Sequence, residues 1–316
     1  MKIIIGDKQG YKINGSMKFL KYVEPGPDYT EPFYVENINS AAEILNIKKS
    51  GSFAPTLTIE YSTDGVNWNT LGTTSTTDLT YTLNPDDKVY LRCDTNQGWG
   101  YTNGSSHSNR ISGVSKVGGN IMSLLYGSSF TGDENTFRNT SNQAFYGIFE
   151  ANSTLKDAQY LLLPATTLTI GCYRNMFYRC TGLTSTPTLP ATTLATSCYT
   201  NMFGGCTSLT IIPTLPATTL VGYCYSGMFR NCTSLTKAPD LLAETLVEYC
   251  YYEIFYGCTN LNYIKCLAND ISASNCTYSW MQRVPSTSDR TFVKKAGVEW
   301  STGPGGIPER WTVEEV

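Results

Sequence analysis

The sequence predicts a mixed, β-rich fold: an N-terminal β-sandwich, then a solenoid of 26-residue repeats, each a strand plus a short helix, closed by a C-terminal cap. Two observations carry that expectation. Between about residues 31 and 117, apolar and polar residues alternate with period 2, the pattern of half-buried strands. Further on, four near-copies of one segment begin at Cys172, Cys198, Cys224 and Cys250, each 26 residues after the last. A fixed period of this size marks stacked units that bury their apolar faces only against one another.

Residues 1–30 read as a lead-in or attachment segment ending in Pro25-Gly26-Pro27, a linker composition. Its Ile3-Ile4-Ile5 run stops at Gly6-Asp7-Lys8, short of the ~7–15 apolar residues of a secretory leader. Residues 31–117 are expected to form the sandwich. There Leu57 and Ile59 alternate with Thr58 and Glu60, and Asp64-Gly65 leads as a hairpin turn into Val66, Trp68 and Leu71. Another strand precedes the turn at Asn84-Pro85-Asp86, and one more runs from Val89 to Cys93. Gly-rich residues 118–127 are the junction.

The solenoid is placed at 128–281 and the cap, with Trp300 and Trp311, at 282–316. A degenerate first repeat puts Phe149 and Leu155 where Phe177 and Leu183 sit one turn on, with two extra residues before the next LPATTL. At the far end Cys276, Trp280 and Met281 follow Cys250, Ile254 and Phe255 by 26. Within a repeat, Cys172, Met176, Phe177, Cys180 and Leu183 share one helical face, which predicts a short helix over Cys172–Cys180. Thr184–Leu189 is the expected strand, bent at Pro187, which has no N–H to give a ladder.

Period and leucine offsets together are those of a leucine-rich repeat. The block MFxxCTxLTxxPxLPATTLxxxCY, with the closing NLNYIKCLANDISASNCTYSW and GIPERWTV, resembles the BspA-like leucine-rich repeats of gut and oral Bacteroidetes and their phages. The resemblance covers about residues 145–316. It implies a right-handed solenoid and adhesion to surface molecules, and it names no ligand.

Charged residues are 16% of the 316-residue chain, the net charge is −3 and no Lys/Arg run occurs, which argues against nucleic acid and anionic membranes as partners. No stretch approaches the ~18 consecutive apolar residues of a membrane span. Of eleven cysteines, nine fall on two ladders: Cys172, Cys198, Cys224, Cys250, Cys276 and Cys180, Cys206, Cys232, Cys258. Stacked side chains point the same way, whereas a disulfide needs Cβ atoms turned toward each other. Zinc wants tight Cys pairs with further ligands close by. The ladders therefore read as small buried hydrophobes, with no metal or cofactor. Tyr173, Tyr199, Tyr225 and Tyr251 form a further ladder, read as a packed flank rather than a sugar-stacking strip.

No P-loop, G-x-G-x-x-G or G-x-S-x-G is present, and the sole histidine, His107, sits among Gly, Ser and Asn, so no enzyme is expected. Binding is expected where residues vary on the fixed frame: Arg174, Thr200, Ser226 and Tyr252; Tyr178, Gly204, Arg230 and Tyr256; Ser185, Ile211, Lys237 and Tyr263. From these the candidate surface is Arg174, Tyr178, Arg230, Lys237, Tyr252, Tyr256 and Tyr263. The functional expectation is an extracellular adhesion protein binding a cell-surface glycan or protein. A phage fibre or appendage is favoured, attached to other virion proteins through residues 1–30, with a homo-oligomer as the expected form. The alternatives are a bacterial surface adhesin and a virion decoration protein without a ligand.

Overall fold

The N-terminal alternation makes strands, and the repeats make something else. The structure, a computed structural model, describes residues 3–5, 8–13, 16–19, 27–49, 54–75, 77–100, 108–138, 142–303 and 305–316, the first three ranges by backbone alone. It is β-rich, and among the described residues its only helices are α1 (Ser123–Tyr126) and a 3-10 turn at Gly127–Ser129. The lead-in differs from expectation. Its β1 (Ile3–Ile5), β2 (Lys8–Ile13) and β3 (Ser16–Phe19) pair as an antiparallel meander.

Eight strands follow: β4 (Tyr34–Glu36), β5 (Glu43–Lys49), β6 (Thr58–Ser62), β7 (Asn69–Thr73), β8 (Leu79–Leu83), β9 (Lys88–Arg92), β10 (Asn109–Ser112) and β11 (Lys116–Asn120). One sheet has the order β10-β5-β8. The other runs β11-β4-β9-β6-β7 and gains β12 (Asp157–Leu162), from the first repeat, parallel to β11. Leu45, Ile47, Leu83 and Ile111 of the first sheet, and Val35, Ile59, Val89 and Leu91 of the second, are buried in one core that continues into the repeats.

The expected helix at Cys172–Cys180 is corrected to a run of hydrogen-bonded turns. Arg174, Met176, Tyr178 and Cys180 donate their N–H three residues back, to Gly171, Tyr173, Asn175 and Phe177. The intervening residues donate out of the segment instead: Tyr173, Asn175, Phe177 and Arg179 reach the carbonyls of Cys198, Thr200, Met202 and Gly204 one repeat on, at 2.7–3.0 Å. An α-helix would spend every N–H on its own i−4 carbonyl. Here a left-handed residue at every fourth position prevents that: Gly171, Asn175 and Arg179, then Ser197, Asn201 and Gly205, and so on to Asn275, Ser279 and Arg283. Gln143, Gly147 and Ala151 begin the series two residues early, matching the extra pair after Leu155.

The same segment-to-segment bonds recur down the chain, as from Tyr199 to Cys224 and from Tyr225 to Cys250. Side chains stack accordingly. Phe33, Phe149, Phe177, Phe203, Phe229 and Phe255 form one buried column with centroids 5.2–6.0 Å apart. Tyr173, Tyr199, Tyr225 and Tyr251 form another, each 1% exposed, so this ladder is the packed flank expected. All eleven cysteines are free and buried. Cys180, Cys206, Cys232 and Cys258 each donate S–H to the carbonyl of the preceding repeat's Phe149, Phe177, Phe203 or Phe229, at 3.0–3.1 Å.

Thr184–Leu189 is corrected from a strand to isolated bridges at Ser185, one to Asp157 and one to Ile211, because Pro187 leaves the ladder no donor. Regular strands return at the end: β13 (Tyr263–Cys266), β14 (Thr291–Lys294) and β15 (Thr312–Glu315) pair in parallel. Trp280 stacks on Trp300 at 5.3 Å and donates its indole N–H to Gly306.

Candidate binding site

One left-handed column carries residues that fit it badly. Its members one repeat apart are Gly171, Ser197, Tyr223, Tyr249 and Asn275, at φ of 60°, 58°, 60°, 56° and 52°. Gly and Asn adopt this region readily, whereas a bulky side chain there is strained. The Tyr223 and Tyr249 rings lie face to face, 4.6 Å apart and 8° from parallel.

A neighbouring column reads Thr200, Ser226, Tyr252 and Tyr278, and there Tyr252 stacks on Tyr278 at 5.7 Å and 9°. Tyr249 and Tyr252 meet at 5.6 Å with a tilt of 58°, which joins the two pairs. Because the pairs are offset by one repeat, small residues face rings across the gap, Ser226 at one end and Asn275 at the other. The result is a groove of about 470 Å³ lined by Tyr223, Ser226, Tyr249, Tyr252, Asn275 and Tyr278, none of them charged. That size suits a small-ligand site. Tyr223 and Tyr278 are 40% and 55% exposed.

Polar groups in the groove are positioned. Asn275 Nδ2 donates to the Tyr249 hydroxyl at 2.9 Å and to Ser274 Oγ at 3.1 Å. The Tyr223 hydroxyl is pushed above its ordinary range by desolvation first, then by Tyr249 and Glu248. Desolvation, then Glu253, does the same for Tyr252. Side-chain hydrogen bonds add to this, from Tyr223 to Tyr249 and from Tyr252 to Glu253. Glu253 itself is paired with Arg230.

Of the residues expected to bind, Arg230, Tyr252 and Tyr256 come together, and Lys237 pairs with Tyr263. Tyr252 lies in the groove. Arg230 stands over Tyr256 at 4.7 Å, with Arg283 on the same ring at 5.1 Å, so these cations and this ring are already engaged. Arg174 is half-buried near Tyr146, and Tyr178 is half-buried beside Arg179. Lys237 and Tyr263 pair at 4.9 Å elsewhere. Four variable positions are buried rather than exposed. Thr200 donates to the Tyr223 carbonyl, Ser185 to Asp157, Gly204 lies under the Tyr178 ring, and Ser226 floors the groove. His107 lies outside the described residues.

A larger cleft, about 660 Å³, separates 210–216 from 236–242. Bridges join Ser185 to Ile211 and Lys237 to Tyr263, but among the described residues none joins Ile211 to Lys237. Its two charged residues already have partners, Lys237 at Tyr263 and Asp240 at Lys265, which leaves an apolar notch without converging polar groups. Among the described residues no cluster of potential metal ligands occurs. No helix among them is long and apolar enough to cross a membrane.

Reading for variation missed Tyr223, Tyr249 and Tyr278. For Tyr223 and Tyr249 the signal was present. Tyrosine replaces Gly or Ser at the position just before the repeat's first cysteine, where neighbouring copies keep residues tolerant of the left-handed region. Compared with protein-family models, curated proteins and solved structures, the chain matches none.

Proposed function

We propose that this chain is a non-enzymatic recognition protein, displayed outside the cell, that binds a cell-surface glycan or protein through the tyrosine groove. In this reading the repeats are a BspA-like leucine-rich-repeat solenoid, preceded by a β-sandwich and ended by a tryptophan-bearing cap. The observation that carries the proposal is the exposed, uncharged groove built by the stacked pairs Tyr223–Tyr249 and Tyr252–Tyr278. Rigid stacked turns suit such a role because they hold the rings without reorganisation on binding. The place of action proposed is a phage fibre or appendage. Eleven free, buried thiols suit a chain that folds in a reducing cytoplasm and leaves it by lysis.

The experiment is binding of the labelled full chain to Bacteroidetes cells and to host cells, beside a Tyr223→Ser, Tyr252→Ser, Tyr278→Ser triple variant. Binding by the parent and its loss in the variant support the reading. Equal binding by both removes the groove from it, and no binding by either favours a structural virion part without a ligand.

A further inference from the structure

Resting on the groove as the binding site, we infer that its ligand is a neutral, hexose-type sugar chain, with one ring seated on Tyr252 above Ser226. Three features set that chemistry. First, the stacks leave aromatic faces open. Tyr252 is covered by Tyr278 on one side, and one repeat back its column carries only the small Ser226. Tyr223 is covered by Tyr249, and one repeat back its column carries Ser197. Among the described residues no ring stacks on either remaining face. A pyranose presents a face of C–H bonds to such a ring, and this contact needs no charge.

Second, the polar atoms around those faces are hydroxyls and an amide. Ser226 Oγ and Asn275 Oδ1 line the groove, and Asn275 engages its neighbours through Nδ2 alone. The Ser226 hydroxyl can donate and accept, and the Asn275 amide oxygen and the Tyr223 and Tyr252 hydroxyl oxygens can accept, the set that sugar hydroxyls satisfy. Third, the lining carries no charge, and the nearest cation, Arg230, is spent on Glu253 and Tyr256. An acidic sugar would lose its hydration here and gain no ion pair. A proline-rich peptide also docks on aromatic grooves. It needs a row of ring slots for an extended helix, whereas this groove closes after two pairs.

The test is surface plasmon resonance of the full chain over immobilised neutral hexose oligosaccharides, sialylated and sulfated oligosaccharides, and a proline-rich peptide, at low and high salt. The expected result is binding to a neutral chain that salt leaves unchanged. Tyr252→Ala and Tyr223→Ala should each weaken it about tenfold, the worth of one stacking contact, and Tyr252→Phe much less. Far-UV circular dichroism of each variant checks folding. Groove-dependent binding that is confined to acidic chains or to the peptide overturns the sugar class and leaves the groove as a site. Binding to no neutral chain also overturns the inference. Neutral-sugar binding that survives both alanine variants moves the ligand off the groove and overturns the inference and the function reading together.

Discussion

Raising the pH should dismantle this protein well below the range where most proteins fail in alkali. All eleven thiols are at most 3% exposed. Burial pushes Cys93, Cys172, Cys224, Cys250, Cys258 and Cys266 up to about 12, and the other five are raised by the same cause. An unfolded cysteine ionises near ~8.5. Folding therefore binds protons above that value, so the full stability exists below about pH 8.5 and drains away as pH climbs toward about 12. At about pH 9.5 each unfolded thiol is roughly 90% ionised and favours unfolding by ~1.4 kcal/mol. The ten other than Cys276 together give ~14 kcal/mol, as large as the whole stability of an ordinary domain. The assay is thermal melting by circular dichroism with reductant present, between about pH 7.5 and 10, with thiolate absorbance followed in the same cuvette. Melting temperature should fall steeply above about pH 8.5, and thiolate should appear only with loss of structure. An unchanged melt at about pH 9.5, or thiolate in a protein with native dichroism, refutes the argument.

Further expectations concern the stack itself. Phe203→Ala removes a ring held between Phe177 and Phe229 at 5.5 and 5.7 Å, and should cost ~3–5 kcal/mol. Hydrogen exchange should place the loss in the adjoining turns, and a parent-like melt would show Phe203 to be peripheral. Gly227→Ala puts a Cβ 2.1 Å from Asn201 Oδ1 at a φ of 61°, and should destabilise by about 1–3 kcal/mol. Adding Asn201→Ala should return part of that in a double-mutant cycle, and strict additivity of the two would contradict the clash.

The buried face of each repeat was legible down to the residue. Cys172, Met176, Phe177, Cys180 and Leu183 are all fully buried. Their secondary structure was not, because a residue burying its side chain every fourth position looks alike in an α-helix and in a chain of turns. The distinguishing feature is backbone sign, and it sits on the intervening positions. Asn175, Asn201 and Gly227 hinted at it, but Arg179 and Glu253 occupy equivalent places with no preference for left-handed φ. Stacking with the next repeat holds them there against local propensity. Site residues were harder for a related reason. Variation pointed to Tyr252, yet equally to Thr200 and Gly204, which vary beneath neighbours rather than toward solvent.

Donation between the stacked turn segments runs one way, from an earlier N–H to a later carbonyl, as from Phe145 to Cys172 and from Tyr225 to Cys250. Carbonyls of the first repeat thus face backward, and the preceding region answers them: Trp99 donates to Ala144 and Ile111 to Ile148. At the opposite end the exposed direction is that of donors, where Gly305 and Gly306 lie against Thr277 and Trp280. The stack of turn segments is therefore vectorial, with aligned peptide dipoles and unlike poles. Whole repeats could be gained or lost from its middle with both poles unchanged, so length is free to vary while orientation is not. Such a column is a ruler with a fixed top and bottom.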